Sequence, residues 1–461
     1  MDEKDMTIEM VDIDYEERYE ELAALVESRQ LRTVRETLKE WPEVDIAWFL
    51  EELSPAKTVL VFRMLPKELA AETFAYLDTE HQQHIITAIT ESELSAIVED
   101  LAIDDAVDML EELPASVVHR VLKSAAPDTR ALINQYLKYP ENSAGSLMTA
   151  EFVNLKPAMT VEEAFAHIRK HGADSETIYT CYVIDKARHL LGIVTVKDLL
   201  LSEKSQIIEE IMDENVIYCT TADDQSEVTQ LFSKYGFMAL PVVDAENRLV
   251  GIVTVDDVIT VMEDEATEDM EMMAAITPSE KDYLHTGVWE TWKQRIPWLL
   301  VLMLSATFTQ AIINSFEAAL ASCVILTAYI PMLMGTGGNC SSQRSVTVIR
   351  GLSLGDIEFG DLLRVLWKEL RVSLLCGGTL GVVNFVKLML LDRLTFTVAA
   401  VVSLTLVFTI VVAKLVGGVL PMLAKKLKLD PAVMASPFIT TIVDAVSLLI
   451  YFRFASLLLG I

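Results

Sequence analysis

The chain has 461 residues, 52% of them hydrophobic, and a formal net charge of −31. Its mean hydropathy of +0.35 excludes an average soluble protein, and no nucleic-acid partner is expected of so acidic a chain. Apolar content and acidity at these levels coexist only when segregated, and the boundary falls near Pro297. Before it the chain is charged and acidic; after it come apolar runs long enough to cross a bilayer.

Met1 to Met10 is acidic where a cleavable signal would be basic and apolar, so the amino-terminal half is expected to stay in the cytoplasm. Glu20 to Tyr139 has no strand signals. DIAWFLEELSP (Asp45 to Pro55) resembles DAVDMLEELPA (Asp105 to Ala115), and Leu-x-x-Leu spacings are interrupted by Pro42, Pro55, Pro66, Pro114 and Pro127. This predicts short helices, each stopped by its proline and stacked as an all-α superhelical domain over residues 1–140, with the acids facing out.

Residues 141–262 contain an internal repeat. CYVIDKARHLLGIVTVKDLL (Cys181 to Leu200) recurs as LPVVDAENRLVGIVTVDDVI (Leu240 to Ile259), each copy preceded by a Met-initiated segment from Met148 or Met212. Each reads as strand, turn, strand and helix. The shared G-I-V-T-V-x-D, Gly192 to Asp198 and Gly251 to Asp257, resembles a pair of CBS modules, which pack as one α/β unit. That resemblance implies an adenosine nucleotide, possible here at Thr195 with Asp198 and at Thr254 with Asp257; the alternative is that each Thr and Asp caps the helix beginning there.

EDEATEDME, Glu263 to Glu271, follows with six acids and no base. A helix through it aligns Glu265, Glu268 and Asp269 at i, i+3 and i+4, a repulsive arrangement unless cations screen it. Hard oxygen donors suit magnesium or calcium; the alternative is a solubilising linker. Residues 263–295 are expected to form a connecting helix whose last part, about Ala274 to Arg295, runs straight into the membrane.

Five membrane segments are predicted within residues 296–461, at about Ile296 to Phe316, Ala318 to Gly335, Val372 to Leu391, Phe396 to Leu423 and Pro437 to Leu459. Lys293 and Arg295, then Arg344, Arg350, Arg364, Lys368 and Arg371, then Lys425, Lys426 and Lys428 fall on one side if all five span, which makes that side cytoplasmic and leaves Ile461 outside. The five cysteines show no CxxC or metal-ligand spacing and read as reduced and structural. The second segment ends in PMLMGTGGNCSSQRSVTVIRGL, where Gly335, Gly337 and Gly338 are expected to unwind a helix and bring carbonyls into a cavity, the alternative being helix packing. The last segment holds one acid, Asp444, about seven residues or roughly 10 Å in, which costs several kcal/mol unless hydrated, paired or facing a cavity. Lys414 lies at similar depth; its head is expected to snorkel to the cytoplasmic surface, the alternative being a salt bridge with Asp444.

Acidic helical repeats, paired CBS modules, an acidic connecting helix, GTGGN and a lone Asp in the fifth membrane segment together resemble the MgtE family of magnesium channels over nearly the whole chain. The resemblance implies a multidomain membrane protein whose central pore ion sits at Asp444, with Thr440, Gly335, Gly338 and Ser342 contributing. It implies regulatory cations at Asp256, Asp257, Glu265, Glu268 and Asp269. The sequence departs from the family at Ser341 and Ser342 after Cys340, and at Thr260, where an acid can help bind a regulatory cation.

The function expected is magnesium uptake across a cell membrane by a homodimer, whose twofold axis would supply two copies of Asp444, with closure by cytoplasmic magnesium. An ion-coupled secondary transporter and a membrane-tethered nucleotide sensor are the alternatives. No P-loop or nucleophile-base constellation points to an enzyme.

Overall fold

The computed structural model describes residues 15–279, 283, 286–433 and 436–460, so the first ten residues and Ile461, on which two of the expectations above rest, lie outside the described part. The chain divides into two compact units at Val258 and Ile259.

The first unit opens with short helices from α1 (Tyr15–Glu27) to α10 (Pro127–Tyr136), including α3 (Glu43–Glu51), α5 (Lys67–Ala75), α7 (Glu91–Asp100), α8 (Ile103–Glu112) and α9 (Ala115–Ser124). α3 packs on α5, α5 on α7 and α7 on α9, so the stack is a superhelix. The prolines begin helices instead of stopping them. Pro55 and Pro127 occupy the first turn, where the missing N–H costs nothing, and Pro42, Pro66 and Pro114 are the residues just before it.

After α11 (Ala144–Leu147) come the two repeats. In the first, β1 (Phe152–Leu155) leads to α12 (Val161–His171), β2 (Thr177–Ile184), β3 (Leu190–Thr195) and α13 (Val196–Leu201). In the second, α14 (Ile208–Ile211) and β4 (Cys219–Thr220) lead to α15 (Gln225–Tyr235), β5 (Ala239–Val243), β6 (Leu249–Thr254) and α16 (Val255–Met273). Each sheet has one parallel and one antiparallel pair, in the orders β1-β2-β3 and β4-β5-β6. The runs CYVI and LPVV fall in the central strands β2 and β5, and β5 is buried on both faces.

α16 corrects the expected connection. The acidic run is the second half of the helix that closes the second repeat, and that helix ends at Met273, before Ala275 turns to φ 57°. Pro278 disfavours helix at Thr277, and the next helix, α17 (Val288–Ser315), begins after Gly287. Among the described residues 274–279 are not helical, so the expected helix from Ala274 to Arg295 is not continuous.

The second unit holds four helices long and apolar enough to cross a membrane, with candidate spans at Val288–Ser315, Phe359–Leu390, Phe396–Lys426 and Phe438–Leu459 among the described residues. Between the first two, the short α18 (Glu317–Ser322) and a 3-10 turn (Val324–Tyr329) lead into α19 (Ile330–Ser353). α20 (Leu362–Leu390), α21 (Phe396–Lys426) and α22 (Ser436–Leu459) complete the bundle, with α21 packed on α19, α20 and α22.

Candidate ion pathway and metal sites

Gly335, Gly337 and Gly338 do not unwind α19; the irregular backbone lies upstream, at Cys323 to Tyr329. Helical packing is what the glycines permit. A Cβ on Gly337 would stand 2.9 Å from both Thr409 Cγ2 and Val443 Cγ1, and one on Gly417 would stand 2.6 Å from the Ser341 carbonyl oxygen, so α19, α21 and α22 approach as closely as their backbones allow. Ser341 and Ser345 are buried on that same face.

The opposite spacing, Gly335, Gly338 and Ser342 at i, i+3 and i+7, forms a separate face of α19. A Cβ on Gly338 would lie 3.4 Å from Thr440 Cγ2. The helices run antiparallel, since Tyr451 further along α22 donates to the carbonyl of Leu326 upstream of α19 at 2.9 Å. Asp444, one turn beyond Thr440, therefore stands at the level of Gly335, beside which there is open space. Asp444 is half-buried, and its Oδ1 is buried without a hydrogen-bond partner, as is Thr409 Oγ1. A buried carboxylate oxygen left without a donor costs a few kcal/mol or more unless a cation or water meets it.

Lys414 does not pair with Asp444 among the described residues. It is 8% exposed, lies beside Cys340, and has no ion pair or hydrogen bond among the described residues. Lys414→Met is accordingly expected to keep transport without lowering the thermal midpoint, because the side chain has no ion pair or hydrogen bond among the described residues to lose. A lower thermal midpoint in the variant would contradict this. Arg344, read from sequence as a loop cation, is buried within α19 and bonds Glu369 of α20 at 3.1 Å.

The acids expected to hold regulatory cations separate into two clusters. In the first unit, Asp256 and Asp257 open α16, and Asp257 accepts from Thr254 Oγ1 at 2.6 Å. They face Glu176 and three acids of α8 that sequence reasoning passed over. Burial and the surrounding carboxylates push Asp104 up to about 8, Asp108 to about 7 and Asp105 to about 6, and raise Asp257 and Glu176. Asp104 Oδ1 is buried without a partner. Carboxyls raised above their unfolded values contribute stability that is full at low pH and lost as pH climbs through about 6 to 8. With divalent cations chelated, the thermal midpoint of the amino-terminal transition should fall by several degrees between about pH 5.5 and 8. Added magnesium should erase that slope; a flat profile without magnesium would rule the repulsion out.

In the second unit, Glu265 and Asp269 are half-buried on α16 while Glu268 is exposed. Burial, then Asp430, Glu265 and Glu268, push Asp269 up to about 6, with Arg350 opposing. Met272 and Met273 pack on Ile349 and Ala432, which holds this end of α16 against the membrane helices. Asp430 was passed over because KKLKLDP reads as a helix end. Among the described residues no three acidic, histidine or cysteine side chains converge into a closed metal cage.

Thr195 and Asp198 form a reciprocal cap on α13, and Thr254 Oγ1 bonds Asp257 where α16 starts.

A chain with stacked acidic helices, paired α/β repeats and an apolar bundle holding a lone carboxylate has the build of a membrane transporter. Residues 330–454 match the MgtE divalent cation transporter family, residues 41–142 the MgtE intracellular N domain, and residues 144–204 and 208–264 the CBS domain. The chain is 37% identical over 436 residues to the magnesium transporter MgtE of Thermus thermophilus, covering 93% of this chain and 95% of that protein. It is 30% identical over 443 residues to the magnesium transporter MgtE of Bacillus subtilis, covering 96% and 97%. The cytosolic domain of the Mg2+ channel MgtE solved in complex with ATP superposes with a TM-score of 0.50 at 38% identity, covering 53% of this chain and 99% of that one. The soluble part of a magnesium transporter gives 0.52 at 29% identity, covering 55% and 100%. The protein belongs to the MgtE family of divalent cation transporters.

Proposed function

We propose that this protein is a magnesium channel of the cell membrane, built as a homodimer and closed by cytoplasmic magnesium. The observation that carries the pore is Asp444 Oδ1, buried without a donor on an apolar helix, level with the open space at Gly335. Thr440, Gly338 and Ser342 line the same path. One carboxylate leaves a divalent ion half-neutralised, and a twofold axis beside α22 supplies the second. Magnesium sheds water reluctantly, so two carboxylates, carbonyls and retained waters suit it.

Gating rests on α16, which carries both acidic clusters on one helix. Asp256 and Asp257 meet Asp104, Asp105, Asp108 and Glu176 at its start; Glu265, Glu268 and Asp269 meet Asp430 at its end. Hydrated magnesium between these carboxylates favours the closed arrangement, and a ligand that binds one state better shifts the population toward it. Residues 1–140, 141–262, 263–295 and 296–461 serve as sensor, CBS pair, connection and pore, with the amino terminus cytoplasmic and the carboxyl terminus outside. An adenosine nucleotide such as ATP, which the solved relative binds, would engage Thr195 with Asp198 or Thr254 with Asp257 of the CBS pair.

Magnesium uptake into liposomes with proton and sodium gradients collapsed separates the readings. Persistent uptake supports a channel; uptake that needs either gradient supports ion-coupled transport; none supports a sensor.

A further inference from the structure

Two histidines lie outside every site described above. His167 and His171 stand one turn apart on α12, with ring centres 4.6 Å apart and planes inclined at 41°. The helix that carries them is fixed. Thr160 and Glu163 form a reciprocal cap at its start, and Val161, Ala164 and Ile168 anchor its inner face in the first repeat's core.

His167 is half-buried on α12. His171 is exposed and free to turn about its own side chain. A metal about 2.0–2.1 Å from an imidazole nitrogen lies about 3.2 Å from the ring centre, so two rings at a right angle about it have centres about 4.5 Å apart. The observed separation matches.

We propose that His167 and His171 form a surface site for a transition-metal dication of the Cu2+, Ni2+ or Zn2+ class, with water completing the coordination. Magnesium is not its ligand, because imidazole suits these borderline ions and hard cations take oxygen. The pair lies in the last turns of α12, where the helix dipole favours positive charge. Lys156, Arg169 and Lys170 around it oppose a cation, which limits the affinity. The site gives the first CBS repeat an input chemically separate from the acidic clusters of α16, and it stands whether or not the transport reading does.

The test titrates Cu2+ into the purified full-length protein in detergent, with excess magnesium present to occupy the carboxylates, and counts bound imidazoles by pulsed electron paramagnetic resonance. The wild type should show a copper signal with two imidazoles. His167→Ala, His171→Ala and His171→Gln should each weaken binding at least tenfold and reduce the count to one, while His119→Ala leaves both unchanged. A wild-type signal with a single imidazole, or an affinity equal to that of His171→Gln, would overturn the proposal and leave the two rings as a stacked pair.

Discussion

Asp444→Ala is expected to reduce magnesium uptake to background while the protein remains folded. The substitution removes the charge and leaves the apolar surface of α22, including buried Val443 and Leu448, in place. At about 4 Å and an effective dielectric near 20, one carboxylate attracts a unit charge by about 4 kcal/mol, or about a thousandfold in occupancy, and more for a dication. Asp444→Asn is expected to fail equally, since the amide keeps the shape and loses the charge. Stability should not fall in either variant, because Asp444 Oδ1 has no donor to lose. Magnesium flux at the wild-type rate in Asp444→Asn would show that this carboxylate is not the ion site.

Replacing Glu265, Glu268 and Asp269 together by alanine should leave flux open at high internal magnesium. Half-buried Glu265 and Asp269 share the lower end of α16 with Asp430, where repulsion without cations opposes the packing of Met272 and Met273 on Ile349 and Ala432. Magnesium is expected to relieve that repulsion in the wild type. In the variant the packing no longer depends on the ion. Protease cleavage between Ala274 and Gly287 gives a second readout: raising magnesium should slow it in the wild type and have no effect in the variant. Cleavage that remains magnesium-sensitive, or flux that still shuts off, would make this run a solvated linker.

The repeats were legible because GIVTV occurs twice with the same spacing to Asp, and both copies became a strand feeding a capped helix. Asp444 was legible because a carboxylate in a membrane-length run demands a reason. The glycines of α19 were misread because glycine's low helix propensity is a weak prior, and close packing against Thr409 and Val443 overrides it. Arg344 was read as a loop cation because the helix continues through a polar stretch, and its partner Glu369 lies on another helix. Asp104, Asp105 and Asp108 were passed over for a similar reason. Nothing local to IDDAVD tells which acids face water and which face Asp257; only the stacking of α8 decides it.

Current through the purified protein in a planar bilayer, at fixed voltage and with only the cytoplasmic-side magnesium varied, tests the gating claim most directly. The account predicts a current carried by magnesium that falls steeply as cytoplasmic magnesium rises, and that returns when the ion is chelated. A magnesium current that stays constant over that range would contradict it.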